Sequence, residues 1–386
     1  MRILTIGAAA MLAASAVSAA DYDLPKTVTW TAYATGSSGY NQAVAIGAAM
    51  QNVAGINLRI LPGKNDLSRL EPVRQGKVQF SANGVGTYMA QEGVFDFGEE
   101  NWGPQRVRIL INNVGSGSSL TVAANKPGCE AAGKPDCKGF EYKDFKGLKV
   151  AFVKGAPALN ANMEAYLAYG GLTWDDVEVV EFGGFGASWK GFIEGQVHAA
   201  YGVTTSGNAY EAESGPNGLY WPSIDPNDTA AMGRMKDKAP YFVPVQAMVG
   251  AGLDGTDGVP SASYPYPILI AYDIQDVDLT YNMTKAMFGL FDDYKDGAPG
   301  ANGWALKNQV FDWVVPFHEG AVRYYKEVGL WSDAAQAHND ALIKRQDVLQ
   351  AAWEEMKAAG ASDWDTAWDA KRKAALSAAG MSVSYK

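Results

Sequence analysis

An alternation that runs twice constrains this chain more than anything else in it. "TVTWTAY" (27–33) is rich in β-branched and aromatic residues and reads as a strand. "YNQAVAIGAAMQNVAG" reads as a helix closed by Gly55, "NLRILPG" as the next strand, and 68–93 as helix, short strand "VQFSA", glycine turn and helix. The series restarts at "LKVAFVKGAP" with helix "NANMEAYLAYGG", strand "VEVVEFGG", helix "ASWKGFIEG" and strand "HAAYGVTT". Repeated β-α order favours largely parallel sheets covered on both faces. Between the two series, "RVRILINNV" and "SLTVAAN" read as a long apolar connection. "PYPILIAYD" supplies a later strand, helices follow at 278–292 and 319–328, and Ser332 to Gly380 reads as two or three amphipathic helices pinned by Trp353 and Trp364.

A chain of 386 residues exceeds what one hydrophobic core usually serves, so two α/β domains are expected. Its net charge of -10 repels phosphate backbones and argues against nucleic acid as a partner. Residues 1–19 carry one basic residue, Arg2, then an apolar stretch and a small-residue exit at Ala19, the three parts of a cleaved secretory signal. In an exported protein, Cys129 and Cys137, the only cysteines, read as a disulfide closing the polar loop "CEAAGKPDC". Two thiolates without a nearby His do not complete a zinc site.

Catalytic frames are missing: the three histidines stand in no H-E-x-x-H pattern, and neither G-x-S-x-G nor a Walker loop occurs. No cofactor or metal is expected. What the sequence offers instead is five polar glycine loops, each at the carboxyl end of an expected strand, where open α/β sheets gather ligands.

The first loop is "ATGSSGY", in which Gly36 and Gly39 permit close backbone approach and Thr35, Ser37 and Ser38 bring hydroxyls to a helix start. A helix cap explains this loop as well as an anion cradle does. The second, "SANGVG", holds Asn83 and Gly84; the third, 153–162, holds Gly155, Ala156, Pro157, Asn160 and Asn162. The fourth, "FGGFGASW", places Phe185 and Trp189 near a helix start, and the fifth, "VTTSGN", brings Thr204, Thr205 and Ser206. Tyr33, Tyr40 and Trp189 are the candidate aromatic walls. No arginine occurs in any of the five, so main-chain and hydroxyl recognition is expected, and a guanidinium clamp would have to come from elsewhere.

Taken together, "YATGSSGYNQ", "FKGLKVAFVKGAPALNAN" and above all "PFHEGAVRYYKEVGL" (316–330) resemble the TAXI group of solute receptors of tripartite ATP-independent periplasmic (TRAP) transporters. The group's third loop usually reads Gly-Ser-Gly-Thr where this chain has Ala158, Leu159 and Asn160. The resemblance implies a type II periplasmic-binding-protein fold: two α/β lobes joined by two hinge strands. On that reading lobe 1 is discontinuous (20–115 and 265–330), lobe 2 spans 116–264, and 331–386 is a helical extension. The hinge crossings are expected near Ile109 to Val122 and Ile268 to Tyr272. It also implies a small organic anion (a carboxylate, amino acid or keto acid) closed between the lobes in the periplasm and delivered to membrane permease subunits. A receptor for an ATP-driven importer or a sensor shares the scaffold. A secreted enzyme on it would need a base or nucleophile that the five loops do not supply.

Overall fold

The computed structural model describes residues 22–360 and 363–385; the signal peptide expected over 1–19 lies outside the described residues. Within them the chain forms the two-lobed α/β architecture with helices after the second lobe. In chain order, lobe 1 contains β1 (Thr27–Ala32), β2 (Asn57–Pro62), β3 (Phe80–Asn83) and β4 (Val107–Asn112). Lobe 2 contains β5 (Leu120–Ala124), β6 (Lys149–Val153), β7 (Glu178–Phe182), β8 (Ala199–Val203) and the ribbon of β9 (Val243–Ala247) and β10 (Val259–Ser263). The chain then returns to lobe 1 as β11 (Ile268–Tyr272).

Lobe 1 has strand order β2-β1-β3-β11-β4, with β1, β2 and β3 parallel and β11 antiparallel to both its neighbours. Lobe 2 has order β5-β8-β6-β7, with β5 antiparallel. Strands β4, β5, β8 and β11 are buried at every residue, as expected where helices cover both faces of a sheet.

The apolar connection read at 107–124 is therefore two strands in different sheets, and the first crossing occupies only 113–119 between them. The second differs from expectation too: Ile268 to Tyr272 is an interior strand of lobe 1, paired with β3 and β4, and the chain crosses at 264–267. An apolar pentapeptide has more to gain inside a sheet than spanning two lobes.

Local chemistry sets the helix ends that matter for the cleft. Ser37 caps the helix Ser38–Ala54 by accepting from the Tyr40 N–H, and Gly55, at φ 67, closes it in the left-handed region that glycine adopts without strain. Asn65 and Ser68 form a reciprocal capping box at the helix Asp66–Arg74. Cys129 and Cys137 are joined in a disulfide beside the short helix Lys126–Ala131.

After lobe 1, helices Asp333–Ala358 and Trp364–Ala378 form a hairpin docked on the helix Gly86–Glu92. Trp353 and Trp368 meet edge to face at 5.0 Å, and the Trp368 indole N–H donates to the Gly93 carbonyl at 2.6 Å. Trp368 thus takes the anchoring place expected of Trp364, which packs at 5.3 Å against Trp353 and stays half-buried.

Candidate functional site

The lobes are closed on each other, and the contacts between them define the cleft. The Gly207 N–H of lobe 2 donates to the Gly36 carbonyl of lobe 1 at 2.9 Å, and the hydroxyls of Ser38 and Thr205 lie 3.3 Å apart. Phe185 N–H donates to the Lys64 carbonyl at 3.1 Å, and the Asn65 amide to the Lys154 carbonyl at 3.1 Å. Two of the glycines are demanded by this geometry. Gly36 has φ 84, and a Cβ on Gly207 would stand 2.9 Å from the Gly36 carbonyl oxygen.

Behind that seam lies a cavity lined by Tyr33, Ser37, Gly84, Ala156, Asn162 and Phe185 among the residues singled out from the sequence. The remaining candidates stand outside the lining. Thr35 is exposed, and Tyr40 is half-buried on the lobe 1 core. Gly36, Ser38, Thr205 and the helix start at Ser206 form the closing seam; the Ser206 hydroxyl accepts from the Ala209 N–H at 3.1 Å. Gly39 is needed for packing, since a Cβ there would meet the Tyr33 ring at 2.4 Å.

Asn83 turns its amide onto the Ser81 hydroxyl and its carbonyl onto its neighbour's N–H. Asn160 folds back onto both backbone groups of Val153. Gly155 supplies the positive-φ turn and Pro157 the first helical position of Pro157–Tyr169. Thr204 holds lobe 2 together, donating to the Val249 carbonyl at 2.7 Å and accepting from the Ser119 N–H at 3.1 Å.

Trp189 requires correction: it is no wall. Its side chain is 0% exposed in the core of lobe 2, its indole N–H bound to the Tyr201 carbonyl at 3.1 Å. Gly202 makes the slot, because a Cβ there would come within 2.5 Å of the indole. The walls are instead Tyr33, Phe185, Tyr201, Tyr264 and Tyr266, with Leu120. Burial, first among the causes, pushes the Tyr33, Tyr201, Tyr264 and Tyr266 hydroxyls above their ordinary pKa, so they remain neutral donors at physiological pH.

The charges come from a sixth loop, "PGKNDLSR", that the sequence reading passed over. Asp66 and Arg69 are paired inside the cavity, both buried, and the Arg69 guanidinium lies 4.0 Å from the Tyr33 ring centroid. The other Asp66 oxygen accepts the Ala158 N–H at 2.9 Å, so a lobe 1 carboxylate occupies the start of a lobe 2 helix. Burial raises the pKa of Asp66 against the opposing pull of Arg69 and of the Ala158 N–H.

One donor in this cavity lacks a partner: Arg69 Nε is buried without a hydrogen bond, whereas the Tyr201 hydroxyl faces that of Tyr264. Buried unpaired donors are costly, and at a cavity wall they point to a ligand that accepts from them. The cavity thus offers a guanidinium that none of the five loops holds. The sequence signal that existed was the capping box Asn65-x-x-Ser68 at a strand end with Asp66 and Arg69 inside it. Among the described residues no group of three or more His, Cys, Asp or Glu could hold a metal, and no helix is long and apolar enough to cross a membrane.

The sequence profile of the NMT1-like family matches residues 129–329. Among solved structures, the chain is similar to an amino acid ABC transporter substrate-binding protein from Streptococcus pneumoniae bound to L-arginine, at 14% identity and TM-score 0.41 over 74% of this chain and 96% of that one. It is also similar to holo ArgBP from T. maritima (14%, TM-score 0.39, 68% and 89%) and to the GluR0 ligand-binding core with L-glutamate (12%, TM-score 0.40, 72% and 97%). No curated protein matches the chain. At such scores the structural likenesses specify no ligand.

Proposed function

The chain belongs to the NMT1-like family, and from that premise we propose that it is a solute receptor of the TRAP type, TAXI group, that captures a small organic anion between its lobes. Exported to the periplasm by the segment 1–19, it delivers the ligand to membrane permease subunits that run on an ion gradient. It performs no chemistry on the ligand.

One observation carries this reading. The unpaired Arg69 Nε of lobe 1 and the Tyr201 hydroxyl of lobe 2, which faces that of Tyr264, line one cavity from opposite lobes, so an acceptor reaching both exists only when the lobes close. A carboxylate is such an acceptor, and a charge-assisted bond to arginine is the stronger of the two. The tyrosines around them suit a ligand with an apolar body. Asp66 already neutralises part of the guanidinium, which favours a monoanion, or a carboxylate that also carries a donor for Asp66, over a dianion.

A thermal-shift screen of carboxylates, amino acids, keto acids and sugars on the mature protein tests the reading. A ligand at 100 times its Kd adds about 2.7 kcal/mol of stability. A monocarboxylate or amino acid is expected to raise the melting temperature, and Arg69→Lys to weaken its binding roughly ten-fold or more while leaving the lobes folded. If only sugars act, or if Arg69→Lys binds the acid as tightly as wild type, the anion reading fails.

A further inference from the structure

The helical extension does more than cover lobe 1, because the segment after its last helix runs back to the seam between the lobes. Two arginines of the hairpin, Arg345 and Arg372, converge on the single buried carboxylate of Glu92. One carboxylate cannot occupy the donors of two guanidiniums, and the segment Met381–Tyr385 takes up part of the surplus, with Asp369 3.6 Å from Arg372. Arg345 donates to the Ser382 carbonyl at 2.8 Å, and Arg372 to the carbonyls of Ser384 and Tyr385 at 2.8 and 3.0 Å. The Tyr88 hydroxyl of lobe 1 adds a 2.6 Å bond to the Ser384 hydroxyl. A segment bound by four hydrogen bonds to a buried charge cluster and its neighbour Tyr88 is held in one place.

That place puts the Tyr385 ring at 5.8 Å from Tyr88 and 5.2 Å from Phe95, both of lobe 1. The Tyr385 hydroxyl faces Tyr241 of lobe 2, whose ring also meets Tyr88 at 6.3 Å. Tyr241 is tied into the cleft: its hydroxyl donates at 2.7 Å to Asn162, which lines the cavity. The helix Gly86–Glu92 joins the two ends, since Gly86 lines the cavity and Glu92 anchors the extension.

We propose that Tyr385 is a positioning residue for capture: the extension carries it to the rim of the cleft, where it contacts Tyr241 only when the lobes are closed and so stabilises the closed state. Opening the lobes separates Tyr241 from Tyr88 and Tyr385 together, while the arginine anchors keep Tyr385 on lobe 1. The extension thereby sets the opening equilibrium, and with it the apparent affinity for whatever the cleft binds.

The test needs no ligand, so its failure is distinct from failure of the receptor reading. Ser38→Cys with Thr205→Cys places two thiols across the seam where the hydroxyls stand 3.3 Å apart. Oxidised glutathione then joins them, and the rate of trapping, followed by non-reducing mass spectrometry, reports the closed population of the ligand-free protein. Tyr385→Ala is expected to slow trapping roughly three- to ten-fold, and Tyr385→Phe, which keeps the ring against Tyr88 and Phe95 but loses the hydroxyl that faces Tyr241, to slow it by a similar factor. The Ala variant keeps the backbone carbonyls that Arg345 and Arg372 use.

Should it nevertheless melt early, Tyr241→Ala approaches the same contact from lobe 2. It is expected to slow trapping by a similar factor, and adding Tyr385→Ala is expected to slow it no further. Trapping at the parent rate in a folded Tyr385→Ala variant, or independent multiplication of the two effects, overturns the proposal.

Discussion

The Asp66 carboxylate of lobe 1 accepts a 2.9 Å hydrogen bond from the Ala158 N–H of lobe 2 and is paired on its other oxygen with Arg69. The protein thus carries an anion of its own at the helix start where the TAXI resemblance places a glycine-rich carboxylate loop. Leu159 and Asn160 stand where small and hydroxylated residues are usual, and the cavity takes its charged contacts from lobe 1 instead.

Asp66→Asn isolates what that charge does. The pKa of Asp66 is raised in the folded protein by burial, so the folded state holds the proton more firmly than the unfolded chain. Stability from this group is full below the ordinary carboxylate range and declines as pH rises through the raised value. Asn imitates the protonated carboxyl and keeps an acceptor for the Ala158 N–H. Wild type and variant are expected to unfold at the same urea concentration near pH 4, with the variant gaining on wild type as pH approaches 7. A variant that loses ground over that range would show that Arg69 outweighs the cost of burial.

Gly207→Ala addresses closure itself. The added Cβ would stand 2.9 Å from a backbone oxygen of the other lobe, where nothing flexible can give way. Each lobe accommodates it when apart, so unfolding free energy is expected to change by less than about 1 kcal/mol. The radius of gyration from small-angle X-ray scattering is expected to rise, as open forms replace the closed one. An unchanged scattering profile would mean that the seam tolerates the methyl.

The same seam shows which parts of the site could be read from the residues. "ATGSSGY" follows a β-branched strand and precedes an alanine-rich helix, so its turn, its Ser37 cap and the value of Tyr33 lie within one local stretch. Arg69 was illegible for the opposite reason. An Asp and an Arg three apart at a helix start look like a solvated surface pair, and only packing of lobe 2 over them removes the water. Trp189 misled because an aromatic after a glycine turn has no local sign of its direction; Gly202, thirteen residues on, makes the slot that takes it inward. Tyr201, Tyr264 and Tyr266 sit in or beside apolar strands and read as core until the crossing at 264–267 is located. Glu92 gives no hint that two arginines more than 250 residues away share it.

His318, in the segment "PFHEGAVRYYKEVGL", gives a second pH effect of opposite sign. Its Nδ1 accepts the Gly320 N–H at 3.2 Å as the cap of the helix Glu319–Glu327 and lies 2.9 Å from the Thr280 hydroxyl. Burial, aided by the nearby Arg108, lowers its pKa to about 4. The unfolded chain therefore binds more protons between about pH 6.5 and 4, and stability from His318 is lost as pH falls through that window. Wild type is expected to lose about 2 kcal/mol between pH 7 and 5 from this group, and His318→Asn, which keeps a capping acceptor, to be spared that part of the loss. Equal acid sensitivity of the two proteins in urea unfolding would remove His318 as the source.

Glu92→Gln tests whether the extension belongs to the folded unit of lobe 1. Glu92 is 0% exposed, and its oxygens take two bonds of 2.7 Å from Arg345 and one of 3.3 Å from Arg372. The amide has one acceptor and no charge, so at least one buried guanidinium is left uncompensated. Removing one partner of a buried ion pair costs about 3–5 kcal/mol, more than most single contacts in a domain. An integral extension carries that cost into the main unfolding transition, which should move as one step to lower denaturant. An extension that folds separately would yield instead an early transition of its own, seen as increased Trp353 and Trp368 exposure, with the rest of the protein unfolding where wild type does. The single step is expected, because Glu92 closes the same helix whose first residue lines the cleft, and that helix cannot shift at one end without disturbing the other.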